Sequence, residues 1–281
     1  MRTEDEMYKI ILDFANQDKR VRAVALNGSR ANDEIKKDKF QDYDIVYIVD
    51  DEDYFIKNDS WLDVFGDRIF MQKPNTMKLF ESDYSEWFSY LMLFKDGNRI
   101  DLRIVPIEKL EIYLKEDKFT KILLDKNGYV KDIPRLVNDH YRIKKPSVDF
   151  YLDCCNEFWW VSTYVAKGLC RDELLYACEH LNSCVRPELF RMISWNIGVD
   201  TDFNVNLGKS YKYLNKYIED EIFNEIMKTY RTDTVEDIWD ALFITHNLFR
   251  KYSFKLANSL NYIYPDYDKN ICNYIKSIKE I

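Results

Sequence analysis

Apolar positions in the first part of the chain change period several times, and each change marks an element. Met7, Ile10, Ile11 and Phe14 recur at helical spacing behind Thr3-x-x-Glu6, a capping box, so residues near 4–18 read as an amphipathic helix. Val21–Asn27 reads as a short buried strand broken by Gly28-Ser29-Arg30, where a short helix can begin. Tyr43–Val49, rich in β-branched and aromatic residues, is expected as a second strand, residues 53–65 as a helix and Arg68–Gln72 as a third strand. Phe88–Phe94 and Arg99–Val105 flank Lys95-Asp96-Gly97-Asn98, a hairpin signal, and Pro106 suits the first turn of a following helix.

The pattern shifts past Asp125. Gly128, Pro134 and Pro146 punctuate a connector, and helical periodicity then dominates over residues 147–167, 171–197, 209–230, 235–260 and 265–278. Gly168 and Gly198 fit helix C-termini, and Pro187 implies a kink or break. In the second of these helices Leu174, Leu175, Cys178, Leu181 and Val185 form the apolar stripe. The expected fold class is α+β: a domain over residues 1–145 with a mixed β-sheet flanked by helices, then an all-helical domain over residues 146–281.

Composition narrows the function. At 46% hydrophobic residues, a chain of 281 residues can bury a substantial core. The net charge is −8 and the Lys and Arg residues are scattered among acids. That disfavours nucleic acid, which calls for a basic stripe, and favours a cationic small molecule. The acidic start Glu4-Asp5-Glu6 has no signal-peptide core and no apolar run reaches membrane length, so a cytoplasmic protein without a membrane partner is expected. A monomer is expected. Cys154, Cys155, Cys170, Cys178, Cys184 and Cys272 form no Cys-x-x-Cys pair, and His140, His180 and His246 are isolated, so reduced thiols and no zinc site are expected. Trp159, Trp160 and Trp195 read as helical core rather than as stacking platforms.

The chemistry concentrates in Gly28-Ser29-Arg30 followed by Asp42-Tyr43-Asp44-Ile45. Asp42 and Asp44 are two apart on a strand, so their carboxylates face one side, with Cα atoms roughly 6.6 Å apart. Two hard carboxylates at that separation can share Mg²⁺. Asp101, an acid amid Ile100, Leu102 and Ile104, converges on them if its strand pairs beside Tyr43–Val49; the plainer alternative is a solvated strand position. Such a set suits nucleotidyl transfer, in which one ion activates the attacking hydroxyl and another neutralises the leaving pyrophosphate. Gly28 and Ser29 can offer backbone N–H groups and a hydroxyl to phosphates, a following helix N-terminus adds its dipole, and Arg30 adds a charged donor.

The order of these motifs resembles the DNA polymerase β-like nucleotidyltransferases, and within them the aminoglycoside 6-adenylyltransferases, also called streptomycin adenylyltransferases. The resemblance rests on Phe40-Gln41-Asp42-Tyr43-Asp44-Ile45, Met71-Gln72-Lys73-Pro74, Tyr90-Leu91-Met92-Leu93-Phe94 and Ile100-Asp101-Leu102. In the second half it rests on Asp153–Trp159, Lys167-Gly168-Leu169-Cys170-Arg171, Arg191-Met192-Ile193-Ser194-Trp195 and Gly208-Lys209-Ser210-Tyr211-Lys212. It implies an N-terminal nucleotidyltransferase domain, Mg²⁺, ATP as co-substrate, a streptomycin-type cationic aminoglycoside as acceptor, and release of pyrophosphate. Relatives usually carry Glu where this chain has Asn27 and a small hydroxyl residue where it has Arg103. By strand parity Arg103 shares a face with Asp101, where it can clamp a phosphate or pair with that acid.

In the helical half, Glu179 is a candidate general base, aligned with Asn182, Ser183 and Arg186; a solvated face is the alternative. Asp153 and Glu157, one turn apart, can hold guanidinium or ammonium groups of the acceptor, or form an ordinary surface pair. Lys209 is a candidate partner of the β- and γ-phosphates or a solvated lysine. The residues leave two other functions open: adenylylation of a different small molecule or protein, and nucleotide binding without turnover.

Overall fold

The structure, a computed structural model, describes residues 1–32, 35–80, 87–116, 120–131 and 142–280; Pro134 and His140 lie outside them. The chain forms two compact units, Met1–Asn138 and Asp139–Ile281. Among the described residues no helix is long and apolar enough to cross a membrane.

The first unit opens with α1 (Glu4–Gln17), whose capping box is formed: the Thr3 side chain accepts from the Glu6 N–H, and the Glu6 carboxylate accepts from the Thr3 N–H at 2.7 Å. Then follow β1 (Val21–Leu26), α2 (Gly28–Ala31), β2 (Tyr43–Val49), α3 (Glu52–Lys57), β3 (Arg68–Gln72), β4 (Phe88–Phe94), β5 (Arg99–Pro106), α4 (Leu110–Glu116) and β6 (Lys121–Asp125). The strands form one mixed sheet in the order β3-β4-β5-β2-β1-β6. All neighbours are antiparallel except β2 and β5, which run parallel with Asp44 opposite Asp101.

The strand alternation sorts the two faces. Tyr43, Ile45, Tyr47 and Val49 of β2 and Ile100, Leu102 and Ile104 of β5 pack with Met7, Ile11 and Ala15 of α1 and with Trp61, Leu62 and Phe65. The other face carries Val46, Ile48 and Val105, buried with Trp87 and with Leu110, Tyr113 and Leu114 of α4. Asp44 and Asp101 share this second face by parity but precede its apolar stretch, so the start of β2 and β5 presents carboxylates where the rest presents core.

Two expectations for this unit change. The helix over 53–65 is α3 followed by a separate 3₁₀ segment, Ser60–Phe65; Asn58 and Asp59 interrupt it, with the Asn58 side chain accepting from the Ser60 N–H at 2.9 Å. Strand β6 was not expected, and it pairs with β1 at the sheet edge.

The second unit contains α5 (Val148–Cys170), α6 (Leu174–His180), α7 (Arg186–Asp200), α8 (Asp220–Lys228), α9 (Val235–Leu260) and α10 (Asp268–Lys279). Its core joins Phe158 and Trp159 of α5, Met192 and Ile193 of α7, and Phe249 of α9; the rings of Phe158 and Phe249 stack with centroids 3.6 Å apart. The helix expected over 171–197 is divided by a π-helical turn, Leu181–Val185, ahead of Pro187, which sits in the first turn of α7 where its missing N–H costs nothing. Residues 209–219 are short 3₁₀ turns rather than helix, and only the later part of 209–230 is α8. Leu175 is 88% exposed and Trp160 58% exposed, so neither belongs to the core; Trp159 and Trp195 do.

Candidate active site

The turn after β1 fixes the first carboxylate. Gly28 has φ +66°, and a Cβ placed there would lie 2.0 Å from Asp44 Oδ2. Glycine is therefore required twice, for the left-handed backbone and for the approach of the Asp44 side chain. The Asn27 N–H donates to the Asp44 carbonyl at 2.8 Å, locking the turn to β2. The Asn27 side chain, 5% exposed, points elsewhere: its Oδ1 accepts from the Tyr113 hydroxyl at 2.7 Å and the Thr120 hydroxyl at 3.3 Å. It ties the end of β1 to Tyr113 of α4. Helix α2 has only four residues, so the macrodipole expected behind the turn is short; Gly28 is exposed and Ser29 partly exposed there.

Arg30, expected as a charged donor to phosphates, is turned inward in this structure. It is 7% exposed, its Nε and Nη2 donate to the carbonyls of Gln41 and Asp42, and its guanidinium stacks over the Tyr43 ring at 3.9 Å. Nη1 lies 3.5 Å from Glu4 Oε2. The side chain is a strut that holds the segment leading into β2, and with it the backbone of Asp42.

Parallel pairing of β2 and β5 brings Asp44 beside Asp101, and Asp42 precedes them on the same side. The crowding is visible in their proton affinities. Burial, then the charges of Asp101 and Asp42, push the Asp44 carboxyl up to about 6. Burial, and the nearby Asp101 charge opposed by Arg99, raise Asp42 as well. The cation among them is Arg99, whose Nε and Nη2 donate to the two oxygens of Asp101 at 2.8 Å each while Nη1 lies 3.6 Å from Asp42 Oδ2. Arg103, exposed on the same face, acts electrostatically on Asp44. The partner gripping Asp101 is thus Arg99 and not Arg103. The two-residue strand period that places Arg103 beside Asp101 places Arg99 there equally, and this was the missed signal.

The donor chemistry suits a hard divalent ion: three carboxylates, oxygen only, with burial and then mutual repulsion raising the proton affinity of the central one. Among the described residues no three His, Cys, Asp or Glu side chains are already closed on one point. Here both Asp101 oxygens are engaged by Arg99, a side chain 42% exposed and able to swing into solvent.

In the second unit, burial raises the Cys184 thiol, and the charges of Glu157, Glu179 and Glu188 each add to that. Asp153 and Glu157 are exposed on α5. Glu179 is exposed and accepts from the Ser183 hydroxyl at 2.6 Å. The alignment of Glu179 with Arg186 does not hold. The π turn shifts the register, and Arg186 is buried, with Nε donating to Thr229 Oγ1 at 3.2 Å and its guanidinium stacked over Tyr230. Lys209 is exposed beside Gly208 and Ser210, which line a cleft of about 450 Å³ together with Arg142, Lys144, Arg191, Trp195 and Tyr211. Arg142 and Lys144 were not singled out in the sequence, and Arg191 only within a stretch that carries the resemblance. Burial drives the His246 imidazole down to about 3, so it is a neutral core group, and all six cysteines are free.

The streptomycin adenylyltransferase family description matches residues 1–278. The aminoglycoside 6-adenylyltransferases of Bacillus subtilis (strain 168) and Campylobacter jejuni are each 46% identical to this chain, over 99% and 98% of it and 98% and 95% of their own lengths. The Staphylococcus aureus protein of the same name is 44% identical over 99% of each chain. A solved aminoglycoside 6-adenyltransferase from Bacillus subtilis is 44% identical, covers 99% of both chains, and superposes with a TM-score of 0.49.

Proposed function

The chain belongs to the streptomycin adenylyltransferase family of nucleotidyltransferases, and from that premise we propose that it transfers AMP from ATP to a hydroxyl of an aminoglycoside such as streptomycin, releasing pyrophosphate. The observation that carries the reading is the parallel β2–β5 register, with Asp44 opposite Asp101 near the start of both strands and Gly28 against the Asp44 carboxylate.

In this reading Asp42, Asp44 and Asp101 would hold Mg²⁺, which would supply charge neutralisation for the pyrophosphate and acidify the acceptor hydroxyl. Gly28 and Ser29 cradle phosphate oxygens with their N–H groups and the Ser29 hydroxyl. Arg30 positions Asp42 from below instead of touching nucleotide. Glu157 and Asp153 receive cationic groups of the acceptor, and Glu179, already a hydrogen-bond acceptor for Ser183, takes the proton of the attacking hydroxyl. Lys209, on the loop bordering a cleft with three cationic side chains, contributes to phosphate binding as a flexible point charge.

Incubation with ATP, Mg²⁺ and streptomycin should release pyrophosphate and add one AMP to the antibiotic by mass spectrometry. Pyrophosphate release that ignores every aminoglycoside in a small panel would remove the acceptor assignment, and no release with any would remove the reaction.

A further inference from the structure

Arg99 has no role in the reading above, yet it makes the closest ionic contacts at the acid cluster. Its fork meets Asp101 with two parallel bonds of 2.8 Å and reaches within 3.6 Å of Asp42. A bidentate pair of this kind uses both Asp101 oxygens, which are the atoms a divalent ion would need. Ion and guanidinium cannot both have them. The pair is also escapable: Arg99 is 42% exposed, Asp101 22% and Asp42 37%, so the side chain can leave for solvent or for another anion. Nucleoside triphosphate is the anion that must arrive at this cluster if the proposed reaction is correct.

We infer that Arg99 is a built-in competitor for the metal position, which makes divalent-ion binding conditional on nucleotide. A lone ion must displace Arg99 from Asp101 and leave the guanidinium without a carboxylate. An ion arriving with a triphosphate supplies a new acceptor for the displaced guanidinium, so the two bind better together than apart. Binding of each then favours the other by the same factor. The inference rests on the proposed metal-binding role of the three aspartates.

The test is Mn²⁺ binding to the full-length protein by calorimetry or electron paramagnetic resonance, alone and with a non-hydrolysable ATP analogue. Asp44→Asn serves as the control for the site. In Arg99→Met, Mn²⁺ alone should bind about fivefold tighter or better, the factor that corresponds to roughly 1 kcal/mol of ion pair. The factor by which the analogue tightens Mn²⁺ binding should shrink. Arg99→Lys keeps the charge but loses the fork, so it should also tighten binding of the lone ion. Arg103→Met removes equal charge from the same face without touching the Asp101 pair, and should tighten it less. Arg99→Met binding Mn²⁺ no better than wild type overturns the inference, as does an equal gain in Arg103→Met, because either result reduces Arg99 to background charge. Mn²⁺ binding that Asp44→Asn leaves intact would instead overturn the metal site, and the competition with it.

Discussion

Replacing Asp44 with Asn should stabilise the metal-free protein at neutral pH and destroy its activity. The carboxyl sits at about 6 in the folded chain, against an ordinary value of 3.8, because it is buried beside Asp101 and Asp42. A raised carboxyl means that the folded state holds the proton more tightly than the unfolded state. Its favourable contribution is therefore complete below pH ~4, is lost as pH rises through ~6, and leaves the folded state penalised above that. A shift of about two units at 1.36 kcal/mol each sets a ceiling near ~3 kcal/mol, and partial exposure brings the expected penalty to about 1–3 kcal/mol. Asn has the same shape and no charge to repel its neighbours. At pH 8 in EDTA, thermal unfolding of Asp44→Asn should rise by several degrees, at roughly 2–4 °C per kcal/mol. The gain should fade as pH is lowered from 6 to 4. Added Mg²⁺ should raise the wild-type midpoint far more than that of the variant. A variant equal to or less stable than wild type at pH 8 would refute the claim that the three carboxylates strain one another.

Gly28→Ala should reduce activity by orders of magnitude and cost at least about 1 kcal/mol, since its Cβ would overlap Asp44 Oδ2 and the backbone is left-handed; wild-type turnover would show that the turn can move. Arg30→Met should destabilise the protein by about 2 kcal/mol by leaving the carbonyls of Gln41 and Asp42 without their buried donor. Its activity should fall through loss of Asp42 positioning, while a change confined to KM for ATP would restore Arg30 as a phosphate ligand. Glu157→Gln should raise KM for streptomycin about tenfold with KM for ATP unchanged, as expected for loss of one charge-assisted contact, and steady-state kinetics in both substrates checks this.

The parts of the fold that repeat with a period were readable in advance. Tyr43–Val49 is dense in β-branched and aromatic residues and Arg99–Pro106 in aliphatic ones, and parity put Asp42 and Asp44 on one face, while Asp101 could join them only if its strand lay alongside. Whether the strands were neighbours required the sheet order. Strand β6 was not readable because Lys121-Ile122-Leu123-Leu124-Asp125 is a short apolar run with no alternation, equally compatible with the end of a helix. The π turn at Leu181–Val185 has no residue signature beyond Pro187 shortly after it, and beyond it Arg186 is buried while Glu179 is exposed. Residue type suggested a phosphate ligand for Arg30, but burial under Tyr43 and Glu4 is a tertiary fact that an arginine in a turn does not announce. Arg99 was within reach of the same strand parity applied to Arg103.

The most direct test is where a divalent ion goes when nucleotide is present. Crystals grown with Mn²⁺ and a non-hydrolysable ATP analogue, measured at the manganese absorption edge, should show an anomalous peak about 2 Å from carboxylate oxygens of both Asp44 and Asp101, with the Arg99 fork withdrawn. Manganese located away from these aspartates, with nucleotide bound and Arg99 still gripping Asp101, would contradict the account at its root.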